Sequence, residues 1–294
     1  MKNKLHTILI FIYFAIGLFI FLKLSITGWQ YYTLPQEERV FHPKHSYLKP
    51  SGLIGHGLGI VGSLMMIIGV SSYMIRKRWK KLHRLGYLKH WLEFHIFMCS
   101  VGPILVLFHT AFKFGGIISI GFWSMVIVVL SGVIGRVIYI QLPKTLQGEN
   151  LSKNEIENMI SELLQKLSPS VKDQIAKILM QEDDVSIKNY EYYSDLSTVE
   201  SIKLIFKENA KRKEKIKFLK LFIEKEKVPN RSKKEFIKIS KQIVSLKTKE
   251  HLYNAFDSLL RHWHILHLPF AITMFIIMFI HIIVTVLFGA KWIF

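Results

Sequence analysis

Four histidines carry the chemistry that this sequence suggests. His95 and His109 lie in one long apolar stretch, and His267 and His281 lie in another, each pair 14 residues apart. In a straight helix at 3.6 residues per turn, that separation falls about 40° short of four turns. In helices supercoiled to about 3.5 residues per turn it is four turns, so both imidazoles face one seam. The rise is about 21 Å at 1.5 Å per residue, which separates two sites within one bilayer. Imidazole in hydrocarbon is costly and needs a partner, and for any one histidine an interhelical hydrogen bond would suffice. Matching pairs on two segments point further. A small metal ion gathers three or four ligands at one place, whereas two opposed imidazoles are what axial coordination of a haem iron uses. The sequence therefore predicts two non-covalent, bis-histidine b-type haems, with His95 opposite His267 and His109 opposite His281.

The elements that must position these groups are membrane helices. Half of the 294 residues are hydrophobic and the mean hydropathy is positive, which predicts an all-α integral membrane bundle. Five spans are expected, at about Thr7–Leu24, Leu53–Ile75, Trp91–Phe112, Ile117–Ile140 and Leu266–Phe288. The domain order would be an anchor (1–25), an outer loop (26–52), three helices of a four-helix dihaem core (53–141), a helical cytoplasmic insertion (142–262) and a fifth span (263–294). The first span is expected to be retained, since no small-residue cleavage site follows its apolar run.

A net charge of +19 invites a nucleic-acid reading, but its distribution argues against one. Arg76, Lys77, Arg78, Lys80, Lys81, Arg84 and Lys89 share one short loop without acids, as the positive-inside rule expects of a cytoplasmic loop. That places the N-terminus inside and the C-terminus outside the cytoplasmic membrane of a prokaryote. Spans three and five then run in the same direction, with His95 and His267 near the inner face and His109 and His281 near the outer one. The single cysteine, Cys99, excludes an intramolecular disulfide, a cysteine-held iron–sulfur cluster and covalent haem attachment through C-x-x-C-H.

Glycines repeat the histidine spacing. Gly55 and Gly69 in span two, and Gly121 and Gly135 in span four, are also 14 apart. They either pack helices closely, as Gly55-x-x-x-Gly59 would, or leave flat walls for a porphyrin, and the shared spacing favours the walls. Gly102 falls midway between His95 and His109 on their seam. Met274, midway between His267 and His281, reads as a polarizable filler. Arg136, about one turn inside the boundary of span four, either snorkels to the interface or pairs with a haem propionate. His56 is placed near the outer end of span two, at the interface or beside a quinone or propionate. His90 is expected among headgroups on a different face from His95. Glu93 reads either as a surface carboxylate or as a proton-handling group. His42 and His45 read as loop residues. The Lys/Glu-rich insertion shows helical spacing, turns at Ser168-Pro169 and Pro229-Asn230 and no nucleotide motif. It would dock a soluble partner or cover the inner haem.

The paired histidines on parallel helices, with paired glycines on the other two, resemble the dihaem four-helix core of the cytochrome b family and the similar arrangement in ferric reductases. The stretch Trp263-His-x-x-His267-x-Pro269 looks like that of bacterial dihaem membrane cytochromes. The resemblance covers spans two to five. It implies axial ligation by His95, His109, His267 and His281, electron transfer across the membrane, and partners among the quinone pool or other redox subunits, in contact with lipid. The chain departs from the bc-type pattern in lacking a Pro-Glu-Trp-Tyr quinol motif, and from ferric reductases in lacking flavin and nicotinamide domains. Two other readings stay open: a ferric or cupric reductase, and a haem-free transporter or scaffold whose histidines bind protons or substrate.

Overall fold

The computed structural model describes residues 2–142, 153–186, 197–225 and 229–288. Among the described residues every regular element is helical and none is a strand. Five helical stretches are long and apolar enough to cross a membrane: His6–Thr33, His45–Arg78, Leu88–His109, Ile118–Tyr139 and Tyr253–Leu287. The chain is an all-α, multi-pass membrane protein, and it divides into two compact units.

The first unit comprises Met1–Val133 and Leu266–Phe294. Helix α1 (Lys2–Thr33) runs nine residues beyond the apolar stretch that ends at Leu24. No proline interrupts Ser25–Thr33, and Tyr31 is fully buried there with Leu48 and Ala111. After a 3₁₀ turn (Glu38–Phe41) and the one-turn helix α2 (His45–Leu48), α3 covers Leu53–Arg78. The basic loop follows. Buried Arg76 ties it down by donating to the carbonyl oxygens of Leu85 and Gly86. Helix α4 (Leu88–His109) carries Pro103 within it, as membrane helices tolerate when neighbours satisfy the freed carbonyl.

Helix α1 lies parallel to α4: Tyr13 stacks on Phe97 with ring centres 4.5 Å apart, and Phe21 meets Phe108 edge-on at 6.1 Å. Helices α3 and α4 run antiparallel in backbone contact. A Cβ on Gly62 would fall 2.7 Å from the Gly102 carbonyl oxygen, and one on Gly102 would fall 2.8 Å from that of Gly62. Only glycine allows so close an approach.

Helix α5 (Ile118–Tyr139) and the 35-residue α10 (Tyr253–Leu287) pass from one unit into the other. Pro269 sits inside α10 without ending it. The two helices are antiparallel, since Gly121 faces Ile277 and Ser131 bonds His267.

The second unit, Ile134–Ile265, contains α6 (Lys153–Leu164), α7 (Pro169–Ser186), α8 (Thr198–Lys225) and α9 (Asn230–His251). Their apolar stripes close on a core that includes Ile156, Val171, Ile175, Leu219, Ile223 and Ile243. Pro169 opens α7, where its missing N–H costs nothing. Ser197 and Glu200 form a reciprocal capping box at the start of α8: the Ser197 backbone N–H donates to Glu200 Oε2 (3.0 Å), and the Glu200 N–H donates to Ser197 Oγ (3.3 Å).

Candidate functional site

The close α3–α4 contact lets imidazoles on one helix reach the main chain of the other. His109 Nδ1 donates to the Gly55 carbonyl oxygen at 2.8 Å, and His95 Nδ1 donates to that of Gly69 at 3.1 Å. A carbonyl only accepts, so both rings carry their proton on Nδ1 and leave Nε2 with the lone pair. This is the tautomer a metal ligand needs, held by the kind of outer partner that orients ligating histidines. The 14-residue spacing of Gly55 and Gly69 thus matches that of the histidines through their carbonyls. A Cβ on Gly69 would press on Met98 and Cys99 of α4, so its missing side chain serves helix packing, whereas one on Gly55 would press on the Lys49 carbonyl in the turn that leads into α3. His95 also has Cys99 Sγ at 3.6 Å from Nδ1 and the Tyr73 ring at 5.5 Å between centres.

Gly59 is the seat for His109. A Cβ there would lie 2.8–2.9 Å from Nδ1, Cε1 and Cγ of the imidazole, so the ring rests on bare backbone. The chain turns sharply just beyond it, with Ala111 and Phe112 both at positive φ (47° and 58°), a conformation costing about 1–2 kcal/mol per non-glycine residue. The buried guanidinium of Arg39 holds this turn. It donates to the carbonyls of Ala111 (2.6 Å), Tyr32 (2.8 Å) and Leu34 (2.9 Å). Nothing in the sequence around Arg39 marks it for this task.

On the other helix pair, His267 Nδ1 lies 2.7 Å from Ser131 Oγ. That hydroxyl donates its own proton to the Val128 carbonyl (3.0 Å) and so accepts from Nδ1–H. Ser131 therefore fixes the same tautomer on α10 that glycine carbonyls fix on α4. A serine in an apolar helix was the available signal, and it is a weak one.

The structure brings His109 and His281 together. Their ring centres are 6.3 Å apart, with planes inclined by 56°. They lie in the wall of a cavity of about 780 Å³ between α3, α4, α5 and α10, shared with His56, Gly121, Met125 and Met274. With about 2 Å for each metal–imidazole bond and about 1.1 Å from ring centre to nitrogen, an iron between opposed imidazoles sets the centres about 6.2 Å apart. The observed separation is close to that value for rings whose Nε2 atoms point at each other, and the volume lies within the range of about 300–1,000 Å³ usual for cofactor sites. The cavity wall is predominantly apolar. His56 approaches His109, with ring centres 6.5 Å apart, yet among the described residues only His6, His90 and Glu93 gather three donor atoms within 4.8 Å of one another. Among the described residues the cavity thus offers a close pair of imidazoles rather than a three-nitrogen cage for a small ion. Lys113 is the one lysine, arginine or carboxylate among the described residues on its wall.

The remaining candidates fall as follows. Gly121 does face the cavity and admits Ile277, whose Cγ2 would be 2.7 Å from an added Cβ. Gly102 is spent on the α3 contact. Gly135 lies against the Trp263 indole, and Arg136 holds its guanidinium over the Tyr139 ring at 5.8 Å, both within the second unit. Met274 is buried with Met66 and Met125. Glu93 is no surface carboxylate: it is 8% exposed and lies between two imidazoles. His42 Nδ1 accepts from the Lys44 N–H, and His45 Nδ1 lies 3.2 Å from the Tyr31 hydroxyl.

No protein-family model, no curated protein and no solved structure matches this chain.

Proposed function

We propose that this protein is a membrane-bound dihaem b-type cytochrome, carrying electrons across the cytoplasmic membrane between a quinone or cytoplasmic donor and an outer redox partner. One observation supports the reading: His109 and His281 approach with ring centres 6.3 Å apart on the wall of one apolar cavity. In the second tier His95 and His267 would be the ligands. Their Nδ1 bonds to Gly69 and Ser131 point both rings' chemistry through Nε2.

Bound there, haem supplies reversible one-electron chemistry, at a potential tuned by ligands, burial and nearby charge. The chain's own contribution is geometric and electrostatic. Gly55, Gly69 and Ser131 hold the imidazoles in one tautomer, Gly59 seats a ring, and the apolar wall keeps water out. Lys113 and His56 on that wall are suited to meet anionic substituents of the macrocycle. The acid-free basic loop between α3 and α4 supports an orientation with that loop inside, so that the His109–His281 tier lies toward the outer face.

The test is purification of the full chain and a pyridine haemochrome assay. Two haems per chain are expected. His281→Ala and His95→Ala should each leave about one, with different bands lost in a redox titration. A colourless protein, or two variants that both keep the full haem content, would overturn the reading.

A further inference from the structure

A second constellation lies apart from the four paired histidines, where the start of α1 meets the first turns of α4. His90 and Glu93 are three residues apart on α4 and share a face, and His6 of α1 closes over them. Each carboxylate oxygen meets a different imidazole: Oε1 is 3.4 Å from His6 Nε2, and Oε2 is 3.2 Å from His90 Nδ1. The two rings stand edge to face, with centres 4.9 Å apart. Glu93 is buried, and both histidines are partly buried.

We propose that His6, His90 and Glu93 form a binding site for a divalent transition-metal ion of the zinc class. One donor atom from each of the three residues lies within 4.8 Å of the others, and ligand atoms about 2.1 Å from a tetrahedral ion stand about 3.4 Å from one another, so a small inward movement of the side chains closes the set on one ion. Two imidazole nitrogens and one carboxylate are a donor set that zinc accepts, with a fourth position left for water or another ligand. Magnesium and calcium prefer shells built almost wholly of oxygen, which this cluster does not provide. A plain imidazolium–carboxylate pair would need one histidine. Two imidazoles, one on each oxygen, also satisfy the carboxylate without an ion, and the zinc titration separates the two arrangements. Such an ion would tie α1 to α4 at one end of a contact that otherwise rests on aromatic packing, Tyr13 on Phe97 and Phe21 on Phe108.

The experiment uses the full-length, tag-free protein, stripped with a chelator and titrated with zinc chloride by calorimetry. Bound metal is counted by elemental mass spectrometry, and haem content is followed in the same samples. The expected result is one zinc per chain, with affinity about a hundredfold weaker or worse in both His6→Ala and Glu93→Gln while haem content stays at the wild-type level. His6→Ala alters the start of a helix and not a buried carboxylate, so it remains informative if Glu93→Gln folds poorly. Absence of zinc binding by the wild-type protein, or unchanged binding by His6→Ala, would overturn the proposal. Loss of haem from all samples with zinc binding intact would count against the cytochrome reading and leave this site standing.

Discussion

Adding one methyl group at Gly59 tests the geometry of the His109–His281 tier more sharply than removing a ligand does. The new Cβ would lie 2.8 Å from His109 Nδ1 and 2.9 Å from both Cε1 and Cγ. Ordinary carbon contacts begin near 3.5 Å, so the imidazole must withdraw by about 0.6 Å. Its bond to the Gly55 carbonyl, now 2.8 Å, would lengthen toward the limit of useful geometry, at a cost of about 1 kcal/mol. Losses of outer partners to ligating histidines typically weaken metal binding by about 10–100-fold. On the proposed dihaem function, Gly59→Ala should therefore release one haem of the two at least tenfold faster to apomyoglobin and shift one band in a redox titration. Gly132→Ala is the control, because a Cβ there meets nothing within 4 Å. If Gly59→Ala holds both haems as the wild type does, His109 is not a ligand seated on that backbone. Equal loss in both variants would mean a general effect on the fold.

Two further perturbations probe what supports the tiers and the second unit. Arg39→Leu strands three carbonyls that now accept from a buried guanidinium, and should lower stability in detergent by about 3 kcal/mol; an unchanged thermal midpoint would refute the tie. The Ser197 hydroxyl and backbone N–H hold the Glu200 carboxyl below its ordinary pKa. The stabilisation from this depressed group is therefore present at neutral pH and lost as pH falls through the folded value. Ser197→Ala should move the Glu200 titration upward in carbon-detected NMR, and no movement would show that the capping box does not form in solution.

Much of this arrangement was legible in the sequence, and the boundary of legibility has physical causes. Long apolar runs declare themselves because the bilayer fixes their length, so the five spanning helices were readable. The 14-residue intervals were readable as well, yet their meaning at Gly55 and Gly69 was not. A spacing argument sees absent side chains, whereas what faces His109 and His95 is each residue's carbonyl oxygen, a group that every residue possesses. Ser131 and Arg39 were opaque for a related reason: each acts on a group more than 70 residues away in sequence, and no local pattern encodes that. The cluster at Glu93 went unread because His6 lies just outside the first apolar run. Only the parallel packing of α1 on α4 brings it there.

The glycine contact has a consequence for how the protein assembles. Because both imidazoles of α4 hang from carbonyls of the same neighbour, spaced like the histidines themselves, the helix pair behaves as a two-toothed ratchet. A slip by a single residue unhooks both teeth together, and the Gly62–Gly102 notch blocks such a slip by collision. Neither ring can be set at its height without the other, so the register of this one helix pair fixes both heights together.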